Sequence, residues 1–253
     1  MSANHTLQGH TAVITGASRG LGKQMAEALA AAGAAIALVA RNAELLAAVK
    51  SGIEAGGGRA ESFVGDITAE TDVTALAAEI QARLGPPDIL INNAGINIRK
   101  PVHEFTLEEW NRVVGTNLNG PFLCCRAFVP AMIAKKFGRI INMTSIMSHV
   151  SLPGRTAYSA TKAGLLGMTK ALALELAPHN ITANGISPGP FATEMNTVLM
   201  QDPVRNAEFL AKIPVGRWGR VEEIGALAVF LCSDAAGFIT GADILIDGGW
   251  TAQ

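Results

Sequence analysis

Seven short β-rich runs punctuate this chain of 253 residues, at 11–15, 35–40, 60–64, 88–91, 138–143, 181–186 and 242–246, and stretches of helical character fill the gaps between them. The runs are close to continuously apolar: Thr11-Ala12-Val13-Ile14-Thr15 and Ala35-Ile36-Ala37-Leu38-Val39-Ala40 show no alternation with polar residues. A strand with one face in water alternates, whereas a strand covered on both faces does not. The pattern therefore predicts an α/β fold, a doubly wound parallel sheet with helices on both faces. The expected helices lie at 21–32, 43–55, 70–84, 107–134, 157–177, 193–212 and 221–232, with Gly33 and Pro178 as stops. No Pro/Ser-rich linker divides the chain, so 1–253 reads as one domain.

Composition narrows the classes. Apolar residues make up 49% and charged residues 16%, which excludes a disordered chain and points to surface buried between subunits. Twenty Lys and Arg against 21 Asp and Glu leave no basic excess for a nucleic acid. No apolar run approaches the roughly 18 residues of a membrane span. The three cysteines, Cys124, Cys125 and Cys232, form no C-x-x-C pair and no zinc spacing with histidine, so no metal is expected and the compartment reads as reducing. The polar segment 1–9 carries no hydrophobic signal region and Trp250-Thr251-Ala252-Gln253 no lipidation signal, which makes a cytoplasmic protein the expectation.

The first strand runs directly into Gly16-Ala17-Ser18-Arg19-Gly20-Leu21-Gly22 and then a helix. Glycines there allow a tight turn and close approach of a pyrophosphate, and the helix start offers free N–H groups and a positive dipole end. An NAD-binding sheet ends its second strand with an acid for the ribose 2′-hydroxyl. Here that corner reads Val39-Ala40-Arg41-Asn42, with no carboxylate before Glu44. Arg41 and Arg19 suit a 2′-phosphate, favouring NADP(H) over NAD(H), or else they solvate a surface. Gly65-Asp66-Ile67 follows the third strand, with Asp66 suited to an adenine amino group or to a helix N-cap, and Ile67 beside it.

Tyr158 is the one tyrosine of the chain, four residues before Lys162, so the two share a helix face. An ammonium beside a phenol favours the phenolate and suits Tyr158 to exchange a proton with a ketone or an alcohol. Ser145 follows the fifth strand, Asn92-Asn93-Ala94-Gly95 the fourth, and Pro188-Gly189 the sixth. Ligands of doubly wound sheets bind at these carboxyl ends. Asn117 lies in the long helix between strands four and five.

Taken together, Thr15-Gly16-Ala17-Ser18-Arg19-Gly20-Leu21-Gly22, Asn92-Asn93-Ala94-Gly95, Asn117, Ser145, Tyr158-x-x-x-Lys162 and Pro188-Gly189 resemble the short-chain dehydrogenase/reductase family over essentially the whole length. The resemblance implies a seven-stranded Rossmann sheet and hydride transfer to or from a nicotinamide. It also implies a catalytic tetrad of Asn117, Ser145, Tyr158 and Lys162. In that mechanism Ser145 holds the carbonyl oxygen, Tyr158 exchanges its proton, and Lys162 binds the nicotinamide ribose and lowers the Tyr158 pKa. Asn117 holds a water of a proton relay. Thr193 meets the carboxamide or pyrophosphate, and Ser18, Leu21, Asn93, Ala94, Gly95, Pro188 and Gly189 join the cofactor contacts.

The stretch Asn97-Ile98-Arg99-Lys100-Pro101, together with Phe191-Ala192-Thr193-Glu194-Met195 and Pro214-x-Gly216-Arg217-Trp218-Gly219, is similar to the gluconate 5-dehydrogenase branch. On that likeness Arg99 binds a sugar-acid carboxylate, the alternative being a surface salt bridge. His149 is a further substrate-contact candidate. A 3-oxoacyl-[acyl-carrier-protein] reductase is the neighbouring reading. It would use Met147, Met195 and Met200 as an acyl groove, and Arg126, Lys135, Lys136 and Arg139 as a docking patch. A nucleotide-binding regulator without chemistry is the reading from another class. The 157–177 helix is apolar around most of its circumference, which fits the homotetramer the resemblance implies.

Overall fold

The computed structural model describes residues 6–253; residues 1–5 and the side chains of Met195, Val198 and Leu199 lie outside that description. Seven parallel strands form one sheet: β1 (Thr11–Thr15), β2 (Ala35–Ala40), β3 (Arg59–Val64), β4 (Ile89–Asn92), β5 (Gly138–Met143), β6 (Ile181–Pro188) and β7 (Asp243–Ile246), in the spatial order β3-β2-β1-β4-β5-β6-β7. The order reverses between β1 and β4, and the crevice opens beyond their carboxyl ends.

The absence of alternation within the strands is explained by the two layers they serve. Ala12, Ile14, Ile36, Leu38, Ile89 and Ile91 face one core, with Met25 and Leu29 of α1 (Gly20–Ala31), Leu46 and Ile53 of α2 (Ala43–Ala55), and Ile224 and Leu231 of a helix near the C-terminus. Their neighbours Val13, Ala37, Val39 and Leu90 face the other core, with Leu76 and Ile80 of α3 (Glu70–Leu84) and Phe128 and Met132 further along the chain. Every position of a central strand is thus a core position. The three cysteines are buried and unpaired, and burial pushes each thiol up to about 12, so they are packing groups.

Two expected helices are built differently. The 107–134 stretch is α4 (Leu107–Val114), a π-turn (Gly115–Asn119) and α5 (Gly120–Lys135), continuous in path but with one wide turn in the middle. The wide turn inserts an extra residue and re-aims what it carries, which here is Asn117. The helix α6 (Thr156–Leu176) matches its expectation within a residue. The 193–212 stretch is a 3₁₀ turn (Glu194–Asn196), α7 (Thr197–Gln201) and α8 (Pro203–Leu210). Pro203 causes the break: it lacks an N–H and disfavours helical backbone at Asp202, whose side chain then caps α8 through Val204 N and Arg205 N. Phe209 of α8 stacks on Trp218 at 4.8 Å and holds this segment against the body, before α9 (Val221–Cys232).

Candidate active site

At the phosphate end the turn is shaped by close backbone approach. Gly16 has φ +65°, and a Cβ there would stand 2.9 Å from Ala94 Cα; at Gly22 it would stand 2.4 Å from the Gly16 carbonyl oxygen. Asn93 locks the turn from the neighbouring strand. Its Nδ2 donates to Thr15 O at 2.9 Å and Gly16 O at 3.2 Å, while Thr15 Oγ1 accepts from the N–H groups of Asn93 and Ala94. The motif residue Asn93 thus acts by shaping the turn.

Helix α1 starts at Gly20 with extended Arg19 as its N-cap and no side-chain cap bond from it. Beside Gly20, at φ +57°, a Cβ would meet open space. Uncapped N–H groups at a helix start, facing open space under a glycine turn, fit the pyrophosphate of a dinucleotide. Ser18 and Leu21 flank the turn and stay partly exposed.

The adenosine corner carries an ion pair. Arg41 Nη1 lies 3.7 Å from Asp66 Oδ2, with the arginine side chain 76% exposed. Asp66 Oδ1 also accepts from Thr68 N and Oγ1. Burial works upward on this carboxyl, but the Thr68 bonds and the Arg41 charge take it below its usual range. Asp66 is thus shared between a turn and a cation. Ile67 is buried, and a Cβ on Gly120 would come within 2.6 Å of its Cδ1, so it packs against the start of α5. Arg19 is likewise exposed, and a guanidinium such as that of Arg41 has the donor fork that suits a phosphate.

At the reacting end, α6 places Tyr158 and Lys162 on one face, with the Lys162 Nζ 5.6 Å from the centroid of the Tyr158 ring. Lys162 is buried and donates to the carbonyl oxygen of Met143, the last residue of β5. Burial lowers its pKa to about 8. Desolvation also pushes the Tyr158 phenol above its ordinary value, while Ser145 and the charges of Arg155 and Arg99 pull it back. The expected acidifying ammonium is directed at a carbonyl here, and the groups that favour the phenolate are a hydroxyl and two arginines.

Asn117 is fully buried. Its Oδ1 accepts from Ile96 N at 2.8 Å and its Nδ2 donates to Ile96 O at 2.9 Å and Thr161 Oγ1 at 3.2 Å. The side chain therefore pins the loop after β4 to α6. A Cβ on Gly95 would lie 3.4 Å from Asn117 Oδ1 and 3.8 Å from Lys162 Nζ, so these residues meet in one small space.

Sequence reasoning missed Arg155. It precedes Tyr158 by three residues at the start of α6, the helix-face spacing that could have found it. Lys100 N donates to Gly154 O at 3.3 Å, which brings the Arg99 loop against the Arg155 loop. Burial lowers the Arg155 pKa, and the charge of Arg99 lowers it further. Among the described residues no carboxylate lies within ion-pair distance of either, whereas the neighbouring Lys100 pairs with Glu109. Two guanidiniums without a carboxylate partner have the chemistry to bind an anion.

His149, the other substrate-contact candidate, spends Nε2 on Asp243 at 2.5 Å. Gly189 is fixed by its N–H to Ile246 O at 3.0 Å, and a Cβ there would collide with Asp247, so Pro188-Gly189 is seated by the segment after β7. Thr193 is partly exposed in a recess with Ala192, Glu194, Thr197, Met200 and Gln201. Of the basic residues considered for docking, Lys136 is exposed and three are engaged elsewhere. Arg126 pairs with Glu70 and Lys135 with Asp88, while Arg139 is buried and donates to main-chain carbonyls. Met147 is buried.

A family model described as enoyl-(acyl carrier protein) reductase matches residues 16–251. The gluconate 5-dehydrogenase of Gluconobacter oxydans (strain 621H) is 42% identical over 248 residues, 98% of this chain and 97% of that protein. The 3-oxoacyl-[acyl-carrier-protein] reductase FabG of Aquifex aeolicus is 37% identical, covering 96% and 98%. Among solved structures, a gluconate 5-dehydrogenase from Burkholderia cenocepacia in complex with NADP and tartrate superposes with a TM-score of 0.94 at 38% identity, covering 99% of this chain and 98% of that one.

Proposed function

Given that the chain belongs to the short-chain dehydrogenase/reductase family and is an oxidoreductase acting on CH–OH groups, we propose that it uses NADP(H) to interconvert a secondary alcohol and a ketone on a sugar acid such as gluconate and 5-ketogluconate. The observation that carries the substrate class is that the Arg99 loop is bonded to the Arg155 loop at the start of the Tyr158 helix, and that neither arginine has a carboxylate partner among the described residues. The relative solved with NADP and tartrate, itself a hydroxy acid, supports the same reading.

The nicotinamide supplies or takes the hydride when bound. The glycine turn and the start of α1 hold the pyrophosphate, with Arg19 and Arg41 at the 2′-phosphate. Ser145 holds the substrate oxygen, and Tyr158 gives it a proton in reduction or takes one in oxidation. Lys162 anchors the ribose side and, with Asn117, continues the proton path. Arg99 and Arg155 clamp the carboxylate and orient the carbon for hydride transfer.

A panel of gluconates, 5-ketogluconate and acetoacetyl thioesters, assayed with both cofactors by NADPH absorbance, tests this reading. Turnover of the sugar acids with NADP(H) is expected. Preference for the thioesters would favour the carrier-protein reading, and no turnover of any ketone would favour a regulator. Burial of Arg139 and the pairing of Lys135 with buried Asp88 leave Arg126 and Lys136 as the surface candidates not tied to the core, which argues against a carrier docking patch.

The homotetramer belongs to the same proposal. Phe122 of α5 and Leu174 of α6 are 51% and 81% exposed, and Phe238 and Leu245 stand open by β7. Large apolar side chains left in solvent on α5 and α6 and around β7 suit coverage by other subunits. Light scattering showing a monomer at micromolar concentration would contradict it.

A further inference from the structure

The carboxylate of Asp243 gathers three groups that lie 99, 94 and 56 residues before it in the chain. Its Oδ1 accepts from Thr144 Oγ1 at 2.6 Å, and its Oδ2 accepts from Ser187 Oγ at 2.7 Å and from His149 Nε2 at 2.5 Å. The Asp243 side chain is 6% exposed. Space for it is built into the neighbouring strand: Gly185 pairs with Asp243 in register, and a Cβ on Gly185 would lie 2.1 Å from Oδ1.

The three donors bracket the reacting end. Thr144 directly precedes Ser145. His149 ends the 3₁₀ turn Ile146–Ser148 that starts from Ser145. In that turn Ser145 Oγ accepts from Met147 N at 3.1 Å, so the seat of the turn sets where the Ser145 hydroxyl points. Ser187 directly precedes Pro188-Gly189. A buried carboxylate held by two hydroxyls and one imidazole is a costly way to fasten β7 to β6, since an apolar side chain would do that without desolvating a charge. All three partners lie at the catalytic rim.

We propose that Asp243, through Thr144 and His149, is a positioning residue for the Ser145 hydroxyl, and through Ser187 for the strand end that leads into Pro188-Gly189. It holds the oxygen-binding group and the segment facing the nicotinamide in one register. Only the kinetic arm of its test rests on the oxidoreductase reading above.

The His149 side chain is 32% exposed, so a substitution there tests the idea without emptying the core. His149→Ala is expected to lower kcat for ketone reduction about tenfold, with KM and the NADPH Kd essentially unchanged. His149→Gln keeps an N–H for Asp243 and restores most of the rate. Asp243→Asn behaves like His149→Ala, and combining the two adds little.

A second readout needs neither substrate nor cofactor. Tyr158 is the one tyrosine, so its phenolate absorbance after a rapid pH jump reports a single group. Ser145 pulls that phenol downward, so displacing Ser145 raises the midpoint in His149→Ala and Asp243→Asn but not in His149→Gln. A raised KM at unchanged kcat would make His149 a substrate contact and overturn the proposal. So would a lowered Tm with wild-type kcat and phenol midpoint, which would leave Asp243 a fastener. A shifted phenol midpoint in an enzyme that reduces no ketone would keep the positioning role and sink the oxidoreductase reading instead.

Discussion

The two ends of the crevice are built on opposite principles. The phosphate end is backbone: glycines at positive φ, main-chain N–H groups at an uncapped helix start, and one asparagine holding the turn, with its cations out in solvent. The reacting end is side chains drawn toward the interior: a buried lysine, a fully buried asparagine and a half-buried phenol whose ionisation burial pushes upward. Binding a dinucleotide needs shape and donors, which backbone supplies at little electrostatic cost. Moving a proton needs groups whose ionisation has been displaced, and burial does that.

The contrast can be broken first at Tyr158. Tyr158→Phe removes the proton donor and leaves the phosphate end intact. A loss of turnover on the order of 10³-fold with NADPH affinity unchanged is expected. A matching loss of affinity, measured by fluorescence titration, would mean that the two ends are not separable.

Lys162→Met comes next, with opposite signs for activity and stability. In the folded chain Lys162 has a pKa of about 8 against 10.5 unperturbed. Between those values the unfolded chain binds the extra proton, so this residue's contribution to stability rises with pH across that window and is least favourable below it. The methionine variant is expected to lose turnover and to melt higher at neutral pH, with the difference shrinking toward pH 10.5. A lower Tm at neutral pH would show that the Met143 bond outweighs the cost of burial.

The arginines sharpen the comparison on the substrate side. Arg155→Ala and Arg99→Ala should each raise KM for a keto acid about tenfold, the worth of one charge-assisted hydrogen bond, and leave the KM of an uncharged ketose unchanged. Equal effects on both substrates, in steady-state kinetics, would remove the carboxylate assignment. The smallest effect is expected at the exposed phosphate corner. There Arg41→Asp should lower the NADP/NAD ratio of kcat/KM severalfold, because the pair it leaves is solvent-screened. An unchanged ratio would free Arg41 from the 2′-phosphate.

What could be read in the sequence follows the same division. The strands, their burial in a parallel sheet and the glycine turn were legible because their signals are local. Continuous apolar runs name buried strands, and a glycine cluster after a strand names a tight turn. The π-turn at Gly115–Asn119 was not legible, because helical periodicity runs through it without a break. The interruption before α8 was written in Pro203 but was outweighed by the helical character around it.

At the reacting end the residue identities were legible and their electrostatics were not. Tyr158 and Lys162 stand four apart in any helix, yet desolvation of the phenol and the carbonyl that captures the ammonium are products of the whole fold. Arg155 had a local signal in its spacing to Tyr158. Asp243 had none, since its partners Thr144 and His149 are 99 and 94 residues away.

The most direct measurement is the ionisation of Tyr158 itself. Because the chain has one tyrosine, its phenolate absorbance can be titrated without interference from another phenol. The midpoint of the free protein should lie above the usual phenol value, rise further in Arg155→Ala, and fall when NADP⁺ brings a positive ring beside the hydroxyl. A midpoint at the ordinary value that neither the arginine substitution nor NADP⁺ moves would show that this phenol is outside the crevice and is not the proton-transfer group.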